Sequence, residues 1–409
     1  MLVRPLISNK ILRLTGNFCY ARSISLSSTV MAQAQDKFCL PARYAGSEKS
    51  VWVEYIQLAL DYKPLNLGQG FPDFAAPEYI TKALSNVAAS ENVLLHQYTR
   101  GFGHPRLIAA LANLYSQLIG RKIDPQTEIL VTSGAYEALF ATIIGHVDVG
   151  DEVIIIEPYF DCYEPMVKTA GGIPRFIPLR LQKTSSDGTV SSGDYGLDSK
   201  ELESLFNSKT KAIIVNTPNN PLGKVFSENE LKVIADLCKK WNVLCISDEV
   251  YEWMVYKPNK HIRIGKNSKY VSEAVALGFE KELTRLGSDE CYFISLPREL
   301  EAKRDYMAKF LTEVGMNPII PEGGYFMVAN WSPLASRVDL TTEKDKYKDY
   351  RFTKWMTKNV GLQGIPTSAF YNEAHKSLTE DFVRYCFIKK DENLQKAAEI
   401  LEKWKNSGK

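Results

Sequence analysis

Three polar side chains near the middle of the chain have the types and spacing needed to hold a nitrogen-containing ring. Asn220 and Asp248 each follow a strongly apolar run, and Tyr251 comes three residues after Asp248. A carboxylate can pair with a protonated ring nitrogen, while an Asn amide and a phenol can hydrogen-bond a ring hydroxyl. Taken singly, Asn220 or Asp248 is equally well explained as a turn residue at a strand end. Together, the three predict a binding site for a charged aromatic ring.

The elements around these residues predict a βαβ unit that brings them together. The apolar runs 212–215 and 243–246 are typical of buried strands. Between them, Ser227 followed by Glu230 is the signature of a helix N-terminus, and apolar residues then recur at helical spacing. Ligands of parallel sheets bind beyond the carboxyl ends of the strands. We therefore expect Asn220 and Asp248 to lie side by side in one crevice.

Two motifs in this unit carry a family resemblance: NTPNNPLGKV at 216–225 and SDEVYEWMVY at 247–256. In these motifs the chain resembles the fold-type I aminotransferases that depend on pyridoxal 5'-phosphate. It is most similar to the group of kynurenine aminotransferase, glutamine transaminase K and cysteine-S-conjugate β-lyase. Asp248, Asn220 and Tyr251 fit the pyridine ring of this cofactor.

A helix N-terminus is the predicted phosphate site. The run 128–132 is expected to form a strand leading into a small-residue turn and a helix that starts near Ala135. Such an N-terminus has unpaired N–H groups and a positive dipole end. We predict that the backbone of Ala135 and Tyr136 holds the phosphate. The resemblance implies that Tyr98, in HQYTRGFG, reaches the phosphate of the neighbouring subunit of a homodimer.

An aromatic residue is expected to stack on the cofactor ring. The predicted strand 152–157 is followed by Pro158, Tyr159 and Phe160. The resemblance places Phe160 on the face of the ring, with Tyr159 as the alternative. An aromatic residue after a strand is also commonly part of the core.

Substrate binding is assigned to three residues. The resemblance implies that Gly70, in NLGQGFPD, lies against the substrate carboxylate, and that Asn220 also contacts the substrate. Arg384 lies among apolar neighbours, and a guanidinium can hold a carboxylate by two parallel hydrogen bonds. The alternative for Arg384 is an ordinary arginine on a surface strand.

The resemblance is interrupted at residues 265–272, which have the sequence GKNSKYVS. The family has a Ser-x-x-Lys motif here, whose lysine binds the cofactor covalently, and then a Gly-Trp segment. This chain has no counterpart of either motif. Lys269 is the best candidate for the catalytic lysine and Lys266 the second, although either fits a solvated connector. We predict that the other groups still form a pocket, that the lysine position is empty or poorly occupied and that turnover of this form is weak or absent.

Composition places the chain among ordinary globular proteins with small soluble partners. Of its 409 residues, 45% are hydrophobic and 24% charged, and its formal charge of +2 does not suggest a nucleic-acid footprint. There is no apolar run long enough to cross a bilayer. The seven cysteines are scattered without a C-x-x-C pair, which favours a reducing compartment and suggests no metal site.

The first 35 residues contain basic and hydroxyl side chains but no Asp or Glu, a composition typical of a mitochondrial transit peptide. A disordered basic tail is the alternative. Met31 offers a possible start for a cytosolic form.

We therefore predict an α/β fold with a mainly parallel sheet in a large domain and a smaller α/β domain. The transit peptide is assigned to 1–31, the arm and part of the small domain to 32–74, the large domain to 75–300, truncated near 265–272, and the rest of the small domain to 301–409. The resemblance implies transamination of kynurenine or glutamine- and methionine-like amino acids with 2-oxo acids, with β-lyase side activity. The alternative is a family member that binds the cofactor without turnover. A nucleotide-binding protein is disfavoured because the chain has no glycine-rich nucleotide motif.

Overall fold

The fold was analysed in a computed structural model that describes residues 41–44, 50–184, 188–263 and 273–407. The candidate lysines Lys266 and Lys269 lie outside the described residues, as does the predicted transit peptide. Within the described part of the chain, none of the helices is both long and apolar enough to cross a membrane.

Eleven α-helices are present among the described residues. In chain order, α1 to α11 are Val51–Tyr62, Glu78–Ala88, Pro105–Ile119, Ala135–His146, Tyr163–Thr169, Ser199–Leu205, Glu228–Trp241, Glu273–Thr284, Tyr292–Val314, Lys348–Trp355 and Asp391–Asn406.

Thirteen β-strands accompany these helices in the described ranges. In chain order, β1 to β13 are Leu65–Asn66, Glu152–Glu157, Ile173–Pro178, Arg180–Leu181, Val190–Ser191, Tyr195–Gly196, Thr210–Asn216, Leu244–Asp248, Asn317–Ile320, Phe326–Asn330, Leu362–Gln363, Ile365–Pro366 and Phe382–Cys386.

The large part of the fold is built on a four-stranded sheet in the order β3-β2-β7-β8, with every neighbouring pair parallel. β7 is buried along nearly its whole length because apolar layers cover both faces of the sheet, which explains its continuous β-branched run. The predicted capping box is present, with Ser227 and Glu230 bonding reciprocally at the start of α7. The predictions of a parallel sheet and of the βαβ unit are confirmed.

The prediction of a strand at 128–132 is wrong. This segment precedes α4 but pairs with no strand among the described residues, and its Val131 N–H donates to the carbonyl of Phe102 instead. A strand is stabilised by its neighbours in a sheet. Among the strands that the structure describes, β8 at the edge of the parallel sheet pairs with β7 alone, and 128–132 does not add to its free edge. The apolar pattern was therefore not sufficient to make a strand here.

The C-terminal part contains a second sheet in the order β12-β13-β10-β9-β5. The pairs from β12 to β9 are antiparallel, whereas β5 joins β9 in parallel. α9 and α11 pack on this sheet around an extensive apolar core that includes Trp331 and Phe352, whose rings stack 4.1 Å apart. β13 carries Arg384, so this sheet positions the predicted carboxylate anchor.

Candidate active site

The ends of β7 and β8 bring the predicted ring-binding residues together through Asn216. Asn216 and Asp248 are register partners at the last positions of the two strands. The Asn216 side-chain amide donates to the backbone carbonyl of Asp248 at 3.0 Å, and its oxygen accepts from the backbone N–H of Asn220 at 2.7 Å. One asparagine therefore fixes the relative positions of Asn220 and Asp248.

The carboxyl group of Asp248 is buried and hydrogen-bonded. Only 8% of the residue is exposed, and the Tyr163 hydroxyl donates to Oδ2 at 2.5 Å while the Val250 N–H donates to Oδ1 at 3.3 Å. Burial raises the pKa of Asp248, and the hydrogen bond from Tyr163 opposes that rise. A cationic partner in the cavity would stabilise the ionised carboxylate.

These residues surround a cavity of about 350 Å³, a size typical of small-molecule sites. Its surface includes six residues that the sequence singled out, together with five others. The lining residues are Ala135, Tyr136, Leu139, Phe160, Asn216, Asn220, Asp248, Val250, Tyr251, Met254 and Tyr325. Among the described residues, none of the lining side chains is a lysine.

The N-terminus of α4 forms one wall of the cavity. Gly134, the residue before the helix, has φ of 98° and provides no side-chain cap, so the first helical N–H groups are not used by a capping side chain. Ala135 and Tyr136 follow at the cavity surface. The Glu137 carboxylate accepts a hydrogen bond from the Ser133 N–H. It would therefore compete with a bound anion for the N–H groups at this helix N-terminus.

The structure places Phe160, and not Tyr159, at the cavity surface. Phe160 meets the ring of Tyr163 edge to face, with centroids 6.3 Å apart. Tyr159 is buried away from the cavity, where its ring stacks on Phe176 at 5.6 Å and its hydroxyl donates to Glu164 at 2.6 Å. Of the two candidates, only Phe160 can offer a ring face to a ligand here.

Tyr251 lies three residues after the end of β8 and lines the same cavity. Its ring meets that of Tyr325 edge to face at 5.0 Å, and both residues line the cavity. Burial raises the pKa of Tyr251 well above its ordinary value, so the hydroxyl is protonated at neutral pH.

Arg384 lies directly behind Asn220 and is only 1% exposed. It donates from Nη1 to the side-chain oxygen of Asn220 at 2.9 Å and from Nη2 to the carbonyl of Gly68 at 2.8 Å. Its Nε is a buried donor without a partner among the described residues. Burial lowers the pKa of Arg384 to about 10, which leaves the guanidinium charged at neutral pH. This is a buried cation with hydrogen-bonding capacity left for an anionic ligand.

Gly70 is the point of closest backbone approach in the N-terminal segment. A Cβ at this position would lie 2.3 Å from Cζ of Phe326, so only glycine fits without displacement. The Gly70 carbonyl accepts a hydrogen bond from the Tyr325 hydroxyl at 3.2 Å. The segment is thereby tied to a residue of the cavity wall.

The structure does not bring Tyr98 into the cavity, because its side chain is fully exposed on the surface of this chain. Its predicted role concerns a neighbouring subunit and stays a prediction. The same is true of Lys269, which the described ranges do not include.

The sequence prediction missed several residues that shape the site. Asn216 stands inside the NTPNNPLGKV motif, and its place at a strand end was a usable signal. Tyr325 and Tyr163 gave no comparable signal, because their partners Tyr251 and Asp248 are 74 and 85 residues away.

Comparison with known proteins agrees with this architecture. Residues 62–288 match the family Aminotransferase class I and II. Kynurenine–oxoglutarate transaminase 3 of Homo sapiens is 46% identical over 443 positions, covering 96% of this chain and 97% of the relative. Kynurenine–oxoglutarate transaminase 1 of Rattus norvegicus is 40% identical over 412 positions, covering 89% and 97%.

The crystal structure of Bna3p from Saccharomyces cerevisiae superimposes with a TM-score of 0.81 at 27% identity, covering 90% of this chain and 99% of that one. The alignment with the human relative has 443 positions, whereas this chain has 409 residues. At least 34 positions of that relative therefore have no counterpart in this sequence.

Proposed function

This chain belongs to the class I and II aminotransferases, and from that premise we propose that it transfers the amino group of kynurenine to 2-oxoglutarate with pyridoxal 5'-phosphate as cofactor. The substrates follow the names of the relatives at 46% and 40% identity. The proposal extends to glutamine- and methionine-like amino donors and to β-elimination from cysteine conjugates as a side activity.

One observation carries the proposal: the cavity presents, from neighbouring elements, groups suited to the ring nitrogen, the ring face and the phosphate of the cofactor. It has a buried carboxylate in Asp248 for a ring nitrogen and an aromatic face in Phe160 for a ring. It also has a helix N-terminus at Ala135 for a phosphate. Arg384, which contacts the lining residue Asn220 from behind, has a buried Nε without a hydrogen-bond partner among the described residues. This N–H group could donate to a substrate carboxylate. The residues present therefore fit the cofactor and an amino acid substrate.

When bound, the cofactor supplies an electron sink for the bond that breaks at the substrate α-carbon. Asp248 would hold the ring nitrogen in its protonated state, because an ionised carboxylate favours a cation beside it. Arg384 would orient the substrate by its carboxylate, and Asn220, which Arg384 already contacts, would couple the substrate position to the ring position. Phe160 and Tyr251, which both line the cavity, would help to exclude water from it.

We propose that the functional form is a homodimer. The segment that leads to Tyr98 exposes Val93, Leu94 and, further on, Phe102, with 64%, 75% and 59% of each residue accessible in the single chain. Clustered exposed apolar side chains are a feature of protein interfaces. Pairing through this segment would bury them and carry Tyr98 toward the site of the other subunit.

We also propose that the chain is imported into mitochondria, with a cytosolic form that starts at Met31. Residues 1–35 contain basic residues but no Asp or Glu, a composition that supports this proposal. A reporter fused to residues 1–35 should colocalise with mitochondria, and a diffuse cytosolic reporter would refute the proposal.

A second candidate function is cofactor binding without turnover. It is favoured by the absence of lysine from the described cavity lining and by the 34 or more positions that this sequence lacks relative to the human protein. Without a lysine, the site would keep its cofactor contacts but lose the group that carries the proton during amino transfer.

Mapping of the modified lysine and turnover assays distinguish amino transfer from cofactor binding without turnover. The full chain is incubated with pyridoxal 5'-phosphate, reduced with borohydride and mapped by peptide mass spectrometry, and glutamate formation from kynurenine and 2-oxoglutarate is measured. Amino transfer through Lys269 predicts that the label maps to Lys269 and that Lys269→Ala abolishes both label and glutamate, with Lys266→Ala as the matched control. Saturable cofactor binding with neither label nor glutamate would support the second candidate.

A further inference from the structure

A buried tyrosine supports the predicted cofactor site from behind. Tyr163 is the first residue of α5 and is 1% exposed. Its hydroxyl donates to Asp248 Oδ2 at 2.5 Å, and its ring meets that of Phe160 edge to face at 6.3 Å. One side chain thus contacts both the predicted partner of the ring nitrogen and the predicted stacking residue, although it is itself outside the cavity lining.

The hydroxyl of Tyr163 is a permanent donor in this position. Burial, followed by the charge of Asp248, raises the pKa of Tyr163 well above its ordinary value, so the phenol is protonated at neutral pH. Its hydrogen bond lowers the pKa of Asp248 against the rise caused by burial. Tyr163 therefore favours the ionised form of this carboxyl group, as well as fixing one of its oxygens.

The other titratable groups facing Asp248 do not replace this support. Cys162 and Tyr251 are held neutral because burial raises the pKa of each. Glu249 raises the pKa of Asp248 further by its negative charge, and its carboxylate is paired with His261 Nε2 at 2.7 Å. Among these neighbours, Tyr163 is the one whose side chain stabilises the Asp248 charge.

We propose that Tyr163 is a positioning residue that holds Asp248 ionised and oriented for a protonated pyridine nitrogen. The proposal rests on the proposed function, because it presumes that a pyridine cofactor occupies the cavity. Tyr163→Phe isolates the contribution of the hydroxyl, since the ring contact with Phe160 is kept.

The test uses pyridoxamine 5'-phosphate as the probe, because this amine form binds without a covalent bond to lysine. Its dissociation constant is measured for the full chain by isothermal titration calorimetry at pH values that span about three units centred on neutrality. The matched control is Tyr115→Phe. The Tyr115 hydroxyl is also buried and also donates to a buried carboxylate, that of Glu252, but neither residue lines the cavity. Thermal unfolding midpoints of both variants report any loss of folding.

We expect Tyr163→Phe to bind about tenfold more weakly at neutral pH, the size of one charge-assisted hydrogen bond. Because the pKa of Asp248 should rise in this variant, the loss of binding on acidification should begin about one pH unit higher than in the unmodified chain. Tyr115→Phe should keep the original affinity and pH profile. Unchanged affinity and profile in a folded Tyr163→Phe would overturn this inference alone. Failure of the unmodified chain to bind the probe would instead overturn the proposed cofactor site, and the inference with it.

Discussion

Arg384 and Asn220 are joined by a hydrogen bond of 2.9 Å, although 164 residues separate them in the sequence. Asn220 lies in the turn that follows β7 of the parallel sheet and Arg384 lies on β13 of the second sheet, so this contact links the predicted cofactor site with the predicted substrate anchor.

Arg384→Lys should weaken the binding of 2-oxoglutarate by about tenfold or more. Lysine keeps the charge but not the planar fork, so it cannot hold Asn220, Gly68 and a carboxylate together. The dissociation constant, measured by calorimetry with cofactor present, checks this without requiring turnover. Arg175, an exposed arginine on β3 that pairs with Glu152 at 3.6 Å, offers the control Arg175→Lys, which should not change the affinity. Equal affinities for all three proteins would remove Arg384 from the substrate site.

Gly70→Ala should destabilise the folded chain by about 1–3 kcal/mol, the usual cost of overpacking a well-packed site. The new Cβ would lie 2.3 Å from the Phe326 ring, and an aromatic ring in this core cannot easily move aside. Urea unfolding measures the effect. Gly101→Ala is the control, since its Cβ would meet no atom within 4 Å. Equal stability of the two variants would show that Gly70 is not sterically required.

Leu94→Asp should convert the proposed dimer to a monomer, because a charge at a buried apolar interface is costly. Sedimentation velocity should give half the mass of the unmodified protein. Val149→Asp, at a position 82% exposed and away from this segment in sequence, should remain a dimer. A Leu94→Asp protein that stays dimeric would place the interface elsewhere.

Asp349 should make the stability of the chain fall between about pH 4 and pH 7. Burial raises the pKa of this carboxyl group to about 7, and it accepts hydrogen bonds from the Ser368 N–H and hydroxyl at 2.7 and 2.9 Å. The native state therefore binds a proton that the unfolded state has already lost, and raising the pH removes that advantage. Relative to Asp349→Asn, the unmodified chain should lose on the order of 3 kcal/mol between pH 5 and 8.

Urea unfolding at the two pH values measures this difference. The control Asp339→Asn concerns an exposed cap whose pKa lies below its ordinary value, so its effect should be constant over the same interval. A pH-independent difference for Asp349→Asn would contradict the prediction.

The sequence was most informative where local patterns and tertiary structure agree. The βαβ unit around Ser227 was predictable from apolar runs and a capping box, and Asn220 and Asp248 followed from the rule that strand ends meet at one edge. The segment 128–132 has an equally apolar pattern but no strand partner among the described residues, and pairing is not readable from local composition.

The hydrogen bond from Tyr163 to Asp248 could not be predicted either, because local sequence does not reveal the partner of a buried side chain. A buried tyrosine after a strand has the same local appearance whether its hydroxyl donates to the carboxylate of Asp248 at the cavity, as in Tyr163, or to that of Glu164 away from the cavity, as in Tyr159. Only the packing of α5 against the end of β8 decides between them.

We infer that the cavity at the ends of β7 and β8 binds the cofactor, and this inference is tested by titrating pyridoxal 5'-phosphate into the purified full chain. Protein fluorescence and visible absorbance should report saturable binding of one cofactor per chain. Asp248→Asn keeps the shape of the side chain but removes its charge, and it should weaken binding by about tenfold or more. The exposed control Asp339→Asn should bind like the unmodified chain. Binding that is absent, or that is equally strong in Asp248→Asn, would contradict the account.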